Sequence, residues 1–538
     1  MQMLEKYFDT AFDAPDGIKK LRELILTLAM QGKLVPQDSN DQPASELLKG
    51  QSKHSSIEPN EKLFKLPNSW EWVKLGNISH IERGGSPRPI QAFLTSDNDG
   101  LNWIKIGDTD KGGKYITSTK EKIKPEGLSK TRKVYPGDFL LTNSMSFGRP
   151  YISQIEGCIH DGWLRISPPE ILDKEFLYFL LSSLYVNQFF VSVAAGAVVS
   201  NLNADKVRGL VIPLPPQKEQ QRIVEKINQL MALCDELEKL KEQKEAKKLT
   251  VHKSAINQLL DSKDESNSQK GWHFISNHFN DLYTVKKNVS ELRSAILQLA
   301  MQGKLVPQDT NDQPASELLK EIQREKKDNK VKSLEPIKSE SIPYGLPNGW
   351  QWVYLNDFGI WKSGSTPSRT NSAYYGGDIP WVKSGEVKQG LIKKTEETIT
   401  QKALDECSLG LNPIGSVLVA MYGANIGEVG ILEVEATTNQ AICACQTFSK
   451  INNQFLKFLI DSLKGYFISQ GAGAAQPNIS RVKIINSIVP LPPFNEQERI
   501  VEKINQLMAL CDDLEKQIDN SSSKQTQLLN AIMSNLGK

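Results

Sequence analysis

At 538 residues the chain is too long for a single core and is expected to divide into several domains of about 100 to 200 residues each. Its 39% hydrophobic and 24% charged residues are ordinary for a water-soluble protein. No run approaches the ~20 apolar residues of a bilayer span, and the first residues, MQMLEKYFDTAFDAPDG, lack a signal peptide's apolar core, which points to a cytoplasmic address. A formal net charge of +2 leaves nucleic-acid binding to be decided by where cations cluster.

In chain order, Ile18, Leu21, Leu24, Ile25 and Leu28 mark one face of a 3.6-residue period, predicting a helix from Gly17 that stops at Gly32. A VPQD turn, a short capped helix in NDQPASELLK and a polar linker to Lys62 follow. LPNSWEWVKLG, from Leu66, reads as a turn and then a strand; from there to Pro216 short β-rich runs alternate with Gly, Pro and Asn turns. This stretch includes an amphipathic helix at Phe176 and a Gly/Ala loop at Ala194 to Ala197. A double proline then ends a strand and launches a long helix. Along it Ile223, Ile227, Leu230, Cys234 and Leu237 are spaced 4, 3, 4, 3, a heptad seam, and apolar positions resume at Leu249, Ile256 and Leu259. His252 falls on that seam and is expected to be a packing residue.

The plan then repeats. LAMQGKLVPQD at Leu28 to Asp38 returns letter for letter at Leu299 to Asp309, and RIVEKINQLMALCD at Arg222 to Asp235 returns at Arg499 to Asp512. The second copy has a helix at Val289 to Gly303, a polar linker at Glu321 to Ser341, LPNGWQWVYLN from Leu346, an amphipathic helix at Phe455, a Gly/Ala loop at Gly471 to Ala475, and a seam of Ile500, Ile504, Leu507, Cys511 and Leu514. The offset changes only from 271 to 277 residues between the two shared runs, yet the enclosed segments have diverged heavily. Two seams in one chain can satisfy each other as an antiparallel coiled coil, about 60 Å long for 40 residues, giving the enclosed segments a pseudo-twofold relation.

Catalytic patterns are missing. No phosphate-binding loop ending in Gly-Lys-Ser/Thr occurs, and NPIG at Asn412 lacks the second proline and the aromatic of a DNA adenine methyltransferase. Asp378 with Glu386 and Lys388 mimics a nuclease's metal-holding set, but the first copy has Asp108 and Asp110 in place of Glu386 and Lys388. The cysteines at 158, 234, 407, 443, 445 and 511 and the six histidines show no zinc spacing, so neither a metal site nor a catalytic residue is expected.

Binding remains. Lys105 to Lys133 holds nine basic residues against four acidic ones, where the bland alternative is lysines guarding a strand edge. DNA reading needs cations for phosphates and polar side chains for base edges. Candidates in the first diverged segment are Ser86, Arg88, Lys105, Arg132, Lys133, Asn143, Ser144, Ser146 and Arg149. In corresponding runs of the second they are Thr366, Ser368, Arg369, Tyr374, Tyr375, Lys383, Ser384, Tyr422 and Asn425. The rival reading is a duplicated protein-binding scaffold that does not read DNA.

The repeated LAMQGKLVPQD and NDQPASELL runs, the LP-N-x-W-x-W opening, the GSTP and IPWV strings and the PLPP-x-x-EQ-x-RIVEKI helix start together resemble the specificity subunit of type I restriction-modification systems, over nearly the whole chain. The resemblance implies an α+β protein with two target recognition domains, residues 63–216 and 342–493. Around them would lie conserved helical regions at 1–62, 217–341 and 494–538. It further implies a non-catalytic subunit binding double-stranded DNA, each domain reading one half of a bipartite, asymmetric site. The long helices would set the spacer and dock two modification (adenine methyltransferase) subunits, with restriction subunits in the full complex. S-adenosylmethionine, ATP and Mg2+ would then sit on those partners and not on this chain.

Overall fold

The computed structural model describes residues 9–10, 12–50, 57–58, 61–62, 64–110, 112–143, 148–194, 202–261, 264–471 and 478–536. The chain forms two compact units, Met1–Gln243 with Ser521–Lys538, and Lys244–Asn520. Two 43-residue helices, Gln217–Leu259 and Phe494–Leu536, are each shared between the units. The first begins in unit 1 and ends in unit 2; the second does the reverse.

In unit 1 the helix Gly17–Met30 lies along the first long helix with opposite sense. Lys241 donates to the carbonyl of Asp13, Arg22 pairs with Asp235 and Glu238, and Arg222 pairs with Asp41, so the numbers fall on one helix as they rise along the other. Ile25, Leu26, Ala29 and Met30 share one core with Ile223, Ile227 and Cys234. Unit 2 repeats this arrangement. Helix Lys286–Met301 packs on the second long helix through Lys286–Asp519 and Arg293–Asp512, with Ala295, Ile296, Ala300 and Met301 against Ile500, Ile504 and Cys511, and Asp312, past its end, pairs with Arg499.

These contacts sharpen the seam reading. Its first positions are satisfied inside each unit by the repeat helix and the domain core. Leu230, Leu507 and Leu514 are partly buried against those cores, whereas Leu237 is 41% exposed and leaves the seam. At 3.5 residues per repeat against a 3.6-residue helix the stripe drifts, and a short repeat helix covers only its beginning. The far end of each long helix packs in the other unit: Ala255, Ile256 and Leu259 join Leu282 and Tyr283, and Leu529 and Ile532 join Phe12 and Ala14. His252 is fully buried with Nε2 2.9 Å from the Tyr283 hydroxyl, and burial pushes its pKa down, as befits a packing residue.

Glycine explains the QGK sequence after each repeat helix. Gly32 and Gly303 adopt left-handed backbone (φ 67° and 69°), and a Cβ there would fall 2.5 and 2.3 Å from the Cγ of Pro67 and Pro347, the prolines of the two LPN turns.

Each diverged segment hangs from a two-stranded neck. Glu71–Lys74 pairs antiparallel with Val211–Leu214, and Gln351–Tyr354 with Ile488–Leu491. Such pairs tolerate the strand prolines Pro213 and Pro490 because each strand keeps a free edge. Beyond the neck, among the described residues, the first segment has two five-stranded sheets, one ordered His80–Arg83, Trp163–Ser167, Phe139–Thr142, Pro150–Ser153, Tyr115–Ile116. Its second-copy counterpart runs Gly359–Ser363, Ile442–Thr447, Val417–Ala420, Val429–Leu432, Leu391–Ile392, and a three-stranded sheet accompanies it. The segments thus keep one sheet plan under unlike sequences.

The linker expected at Glu321 to Ser341 is helical in its first part, since Ala315–Asp328 is one helix. Leu318, Ile322 and Lys326 recur every four residues on its buried face, and Lys326 pairs with Asp357 at 2.5 Å, so the charged composition masked an amphipathic helix. Among the described residues no single helix is long and apolar enough to cross a membrane.

Candidate nucleic-acid interface

The first strand beyond each neck, His80–Arg83 or Gly359–Ser363, ends in a Gly-Gly or Gly-Ser turn that presents a candidate loop. In the first domain Ser86, Arg88 and Asn143 converge on Asp161. The Ser86 hydroxyl donates to the Asp161 carboxylate at 2.6 Å and holds its pKa below the ordinary range, while Arg88, 84% exposed, approaches the same carboxylate at 3.9 Å. Asn143 is buried and its amide donates to the Asp161 carbonyl at 2.7 Å. The structure therefore removes Asn143 from the candidates: its side chain fastens a loop and does not face solvent. Arg149 is exposed, and Ser144, Ser146 and all but the first residue of the Gly/Ala loops at Ala194 to Ala197 and Gly471 to Ala475 lie outside the described residues.

Most of the other cations are engaged. Lys105 pairs with Glu121 at 2.7 Å, and its second-copy equivalent Lys383 pairs with Glu396 and Glu397 at 2.7 and 3.1 Å. Glu121 and Glu397 both open the strand that pairs with the Trp103 or Trp381 strand, so the lysine–glutamate contact is part of the shared sheet plan. Arg132 pairs with Glu82 at 3.3 Å and Lys133 with Glu156 at 2.5 Å, the latter raising the lysine's pKa. In the second domain Arg369 bonds Glu397 at 2.6 Å and stacks over Tyr375 and Trp381, 4.6 and 5.0 Å from the ring centroids. Arg369 and then Lys383 hold the Glu397 carboxyl below its ordinary range.

Tyr374 donates to Glu406 and Tyr375 to the carbonyl of Pro367, while Ser368 bonds Thr370. The Thr366 hydroxyl accepts from the backbone N–H of Gln440 at 3.5 Å. Tyr422 is 44% exposed on a separate turn that also carries the half-buried Asn425, and Ser384 is half-buried. The acidic hubs Asp161 and Glu397 were not selected from sequence, because a search for groups that bind DNA passes over carboxylates that anchor those groups.

The nuclease-like pattern dissolves. The Glu386 carboxylate accepts the backbone N–H groups of Lys383 and Glu396, and Asp108 accepts those of Lys105 and Lys120, so both acids cap the same turn. Among the described residues no cluster of His, Cys, Asp and Glu could hold a metal ion.

The frame carries its own repeated polar knot. Glu219 and Glu496, both 1% exposed at the start of a long helix, accept the indole N–H of Trp70 or Trp350 at 3.0 and 2.9 Å and the amide of Gln37 or Gln308 at 2.6 and 3.0 Å. Burial pushes both carboxyls above the ordinary range. Residues from three motifs met far apart in the sequence, VPQD, LPN-x-W and EQ-x-R, are here one cluster.

The profile of the family described as type I restriction modification DNA specificity domain matches the chain twice, at residues 67–248 and 347–521, together more than half its length. The chain belongs to that family. It is 31% identical to the specificity subunit of the Escherichia coli type I restriction enzyme EcoAI, over 95% of this chain and 92% of that one. Identity to the specificity subunit of EcoEI, also of Escherichia coli, is 29% over 96% and 93%. A crystal structure of the HsdS subunit from Thermoanaerobacter tengcongensis is similar at a TM-score of 0.40 and 19% identity, covering 89% of this chain and 98% of that one. As a type I specificity subunit the chain has a non-catalytic role in restriction-modification, with two target recognition domains, and it works with DNA and with other subunits of such systems.

Proposed function

We propose that each target recognition domain reads one half of a bipartite, asymmetric DNA site, while the repeated helices set the spacer and dock two modification subunits. The carrying observation is the contrast between a frame repeated almost letter for letter and the unlike segments it encloses on one sheet plan. Two like partners need the same surface twice, and Leu233 and Leu510, equivalent positions within RIVEKINQLMALCD, are 54% and 63% exposed. Two different half-sites need different loops. Base-edge contacts fall to exposed groups such as Arg88, Arg149 and Tyr422; Lys105, Lys383 and Arg369 shape the loops around them. S-adenosylmethionine, ATP and Mg2+ belong to the modification and restriction subunits.

The test is a domain exchange followed by sequencing of methylated DNA. The neck dictates the cut: Leu75 N–H donates to the Leu210 carbonyl at 2.8 Å where the two strands end, so replacing 75–210 keeps the neck whole. The expected product methylates a site changed in one half, with the other half and the spacer kept. A change in both halves refutes the modular reading.

A further inference from the structure

Behind the candidate loop of the second domain lies an open pocket of ≈ 470 Å³, lined among others by Lys362, Ser363, Ser408, Asn412, Thr438 and Arg481. None of its lining residues is acidic. Lys362 and Arg481 are exposed and form no ion pair with any described residue, unlike Lys105, Lys133, Arg369 and Lys383. Arg481 is anchored by one N–H to the Trp361 carbonyl at 3.0 Å, and the stem of Lys362 runs beside Gly410. Two positive side chains are thus held at one concavity with serine hydroxyls beside them and, among the described residues, no carboxylate paired to them.

The first domain is built differently at the same place. The residue equivalent to Lys362 is Glu82, which pairs with Arg165 at 2.8 Å and Arg132 at 3.3 Å; Arg481 aligns with Ala204, and the arginine that bonds the equivalent carbonyl, that of Ile81, is Arg208, which is itself paired with Asp205 at 2.6 Å. A carboxylate closed by two arginines replaces an open pair of cations, so the pocket's charge belongs to one domain and is not a requirement of the shared sheet plan. The strand bearing Lys362 ends at Ser363 and continues into Gly364, Ser365 and Thr366, which places the pocket beside the loop assigned to DNA.

We infer that this pocket takes a phosphate group of the DNA backbone, anchoring the second domain, and it alone, on its half-site. The inference rests on the DNA-reading function proposed above. Phosphate contacts position a protein on DNA without selecting sequence, and each releases counterions, so a lost contact flattens the salt dependence of binding.

The experiment uses the full chain assembled with modification subunits and a duplex carrying the sequence its host methylates, titrated from about 50 to 200 mM salt. Lys362→Gln is expected to weaken binding about 3- to 10-fold and to reduce the slope of log K against log salt by about one, leaving the methylated sequence unchanged. Lys362→Arg should restore both values. A wild-type slope in Lys362→Gln overturns the assignment, and so does an altered recognition sequence, which would make Lys362 a base reader. Stabilisation of the wild type by inorganic phosphate, lost in Lys362→Gln while the DNA slope stays put, would make the pocket a free-anion site and also overturn it. A wild-type complex that does not prefer its own site over a scrambled duplex would sink the half-site reading instead, leaving the salt slope to decide the phosphate contact.

Discussion

At the scale of single residues, the frame is held by buried polar groups that meet their partners twice over. Each oxygen of Glu219 and of Glu496 accepts from a different donor, an indole on one and a glutamine amide on the other. An amide in place of the carboxylate would set an N–H2 against a donor, so the carboxyl chemistry is required despite the desolvation it suffers. Beside the second knot, Asp312 is 5% exposed and bonds Arg499 at 2.6 Å, and this partner holds its pKa below the ordinary 3.8. A carboxyl whose folded pKa is depressed contributes stability that is complete above its unfolded value and is lost as pH falls through the folded one. Asp312→Asn is therefore expected to cost about 1 kcal/mol near neutrality, the arginine being a third exposed and partly screened. The gap to the wild type should close as pH falls below 3.8. Melting curves across that range check it; a gap independent of pH would assign the loss to packing.

At the scale of elements, the heptad spacing was legible, and what covers the start of each stripe was not. Ile223, Ile227 and Cys234 are buried as a seam should be, but the surface that buries them is the repeat helix and the domain core of the same unit. Heptad spacing reports that a stripe is covered and is silent on what covers it. The contrast within the stripe is measurable. Ile227→Ala, at a fully buried position, should destabilise by about 2–4 kcal/mol, and Leu237→Ala, 41% exposed, by less than about 1 kcal/mol. Equal losses in chemical denaturation would show that Leu237 is covered in solution. Other elements were read well where local chemistry decides them: the strands after LPN-x-W, the helices at Phe176 and Phe455, and the long helices after Pro216 and Pro493. The short helix expected in the second NDQPASELLK was found, but its continuation through Asp328 was missed because its buried face includes Lys326, a residue that composition assigns to solvent. The candidate loops fared similarly. Their positions beside the first strand of each domain follow from aligned turns, but sequence could not show that Asn143 points inward or that Arg369 is clamped by Glu397 and two rings.

At the scale of the whole molecule, both long helices pass from one compact unit to the other, the first near Gln243 and Lys244, the second near Asn520 and Ser521. This makes the spacing test stricter than lengthening a single rod. A heptad adds about 10 Å of helix and keeps the apolar stripe within about 20° of its face. Inserted after Gln243 alone, it lengthens one of two helices that begin and end in the same pair of units. The single insertion should therefore lower the yield of folded chain or abolish methylation. The matched insertion, one heptad after Gln243 and one after Asn520, should recover activity on a site whose two halves are unchanged and whose spacer is about three base pairs longer, at 3.4 Å of duplex per pair. Sequencing of methylated DNA from cells carrying each version reads the outcome. Recovery with the original spacer would mean that the distance between half-sites is set by the DNA or by the partner subunits, and the role of ruler would pass from these helices to them.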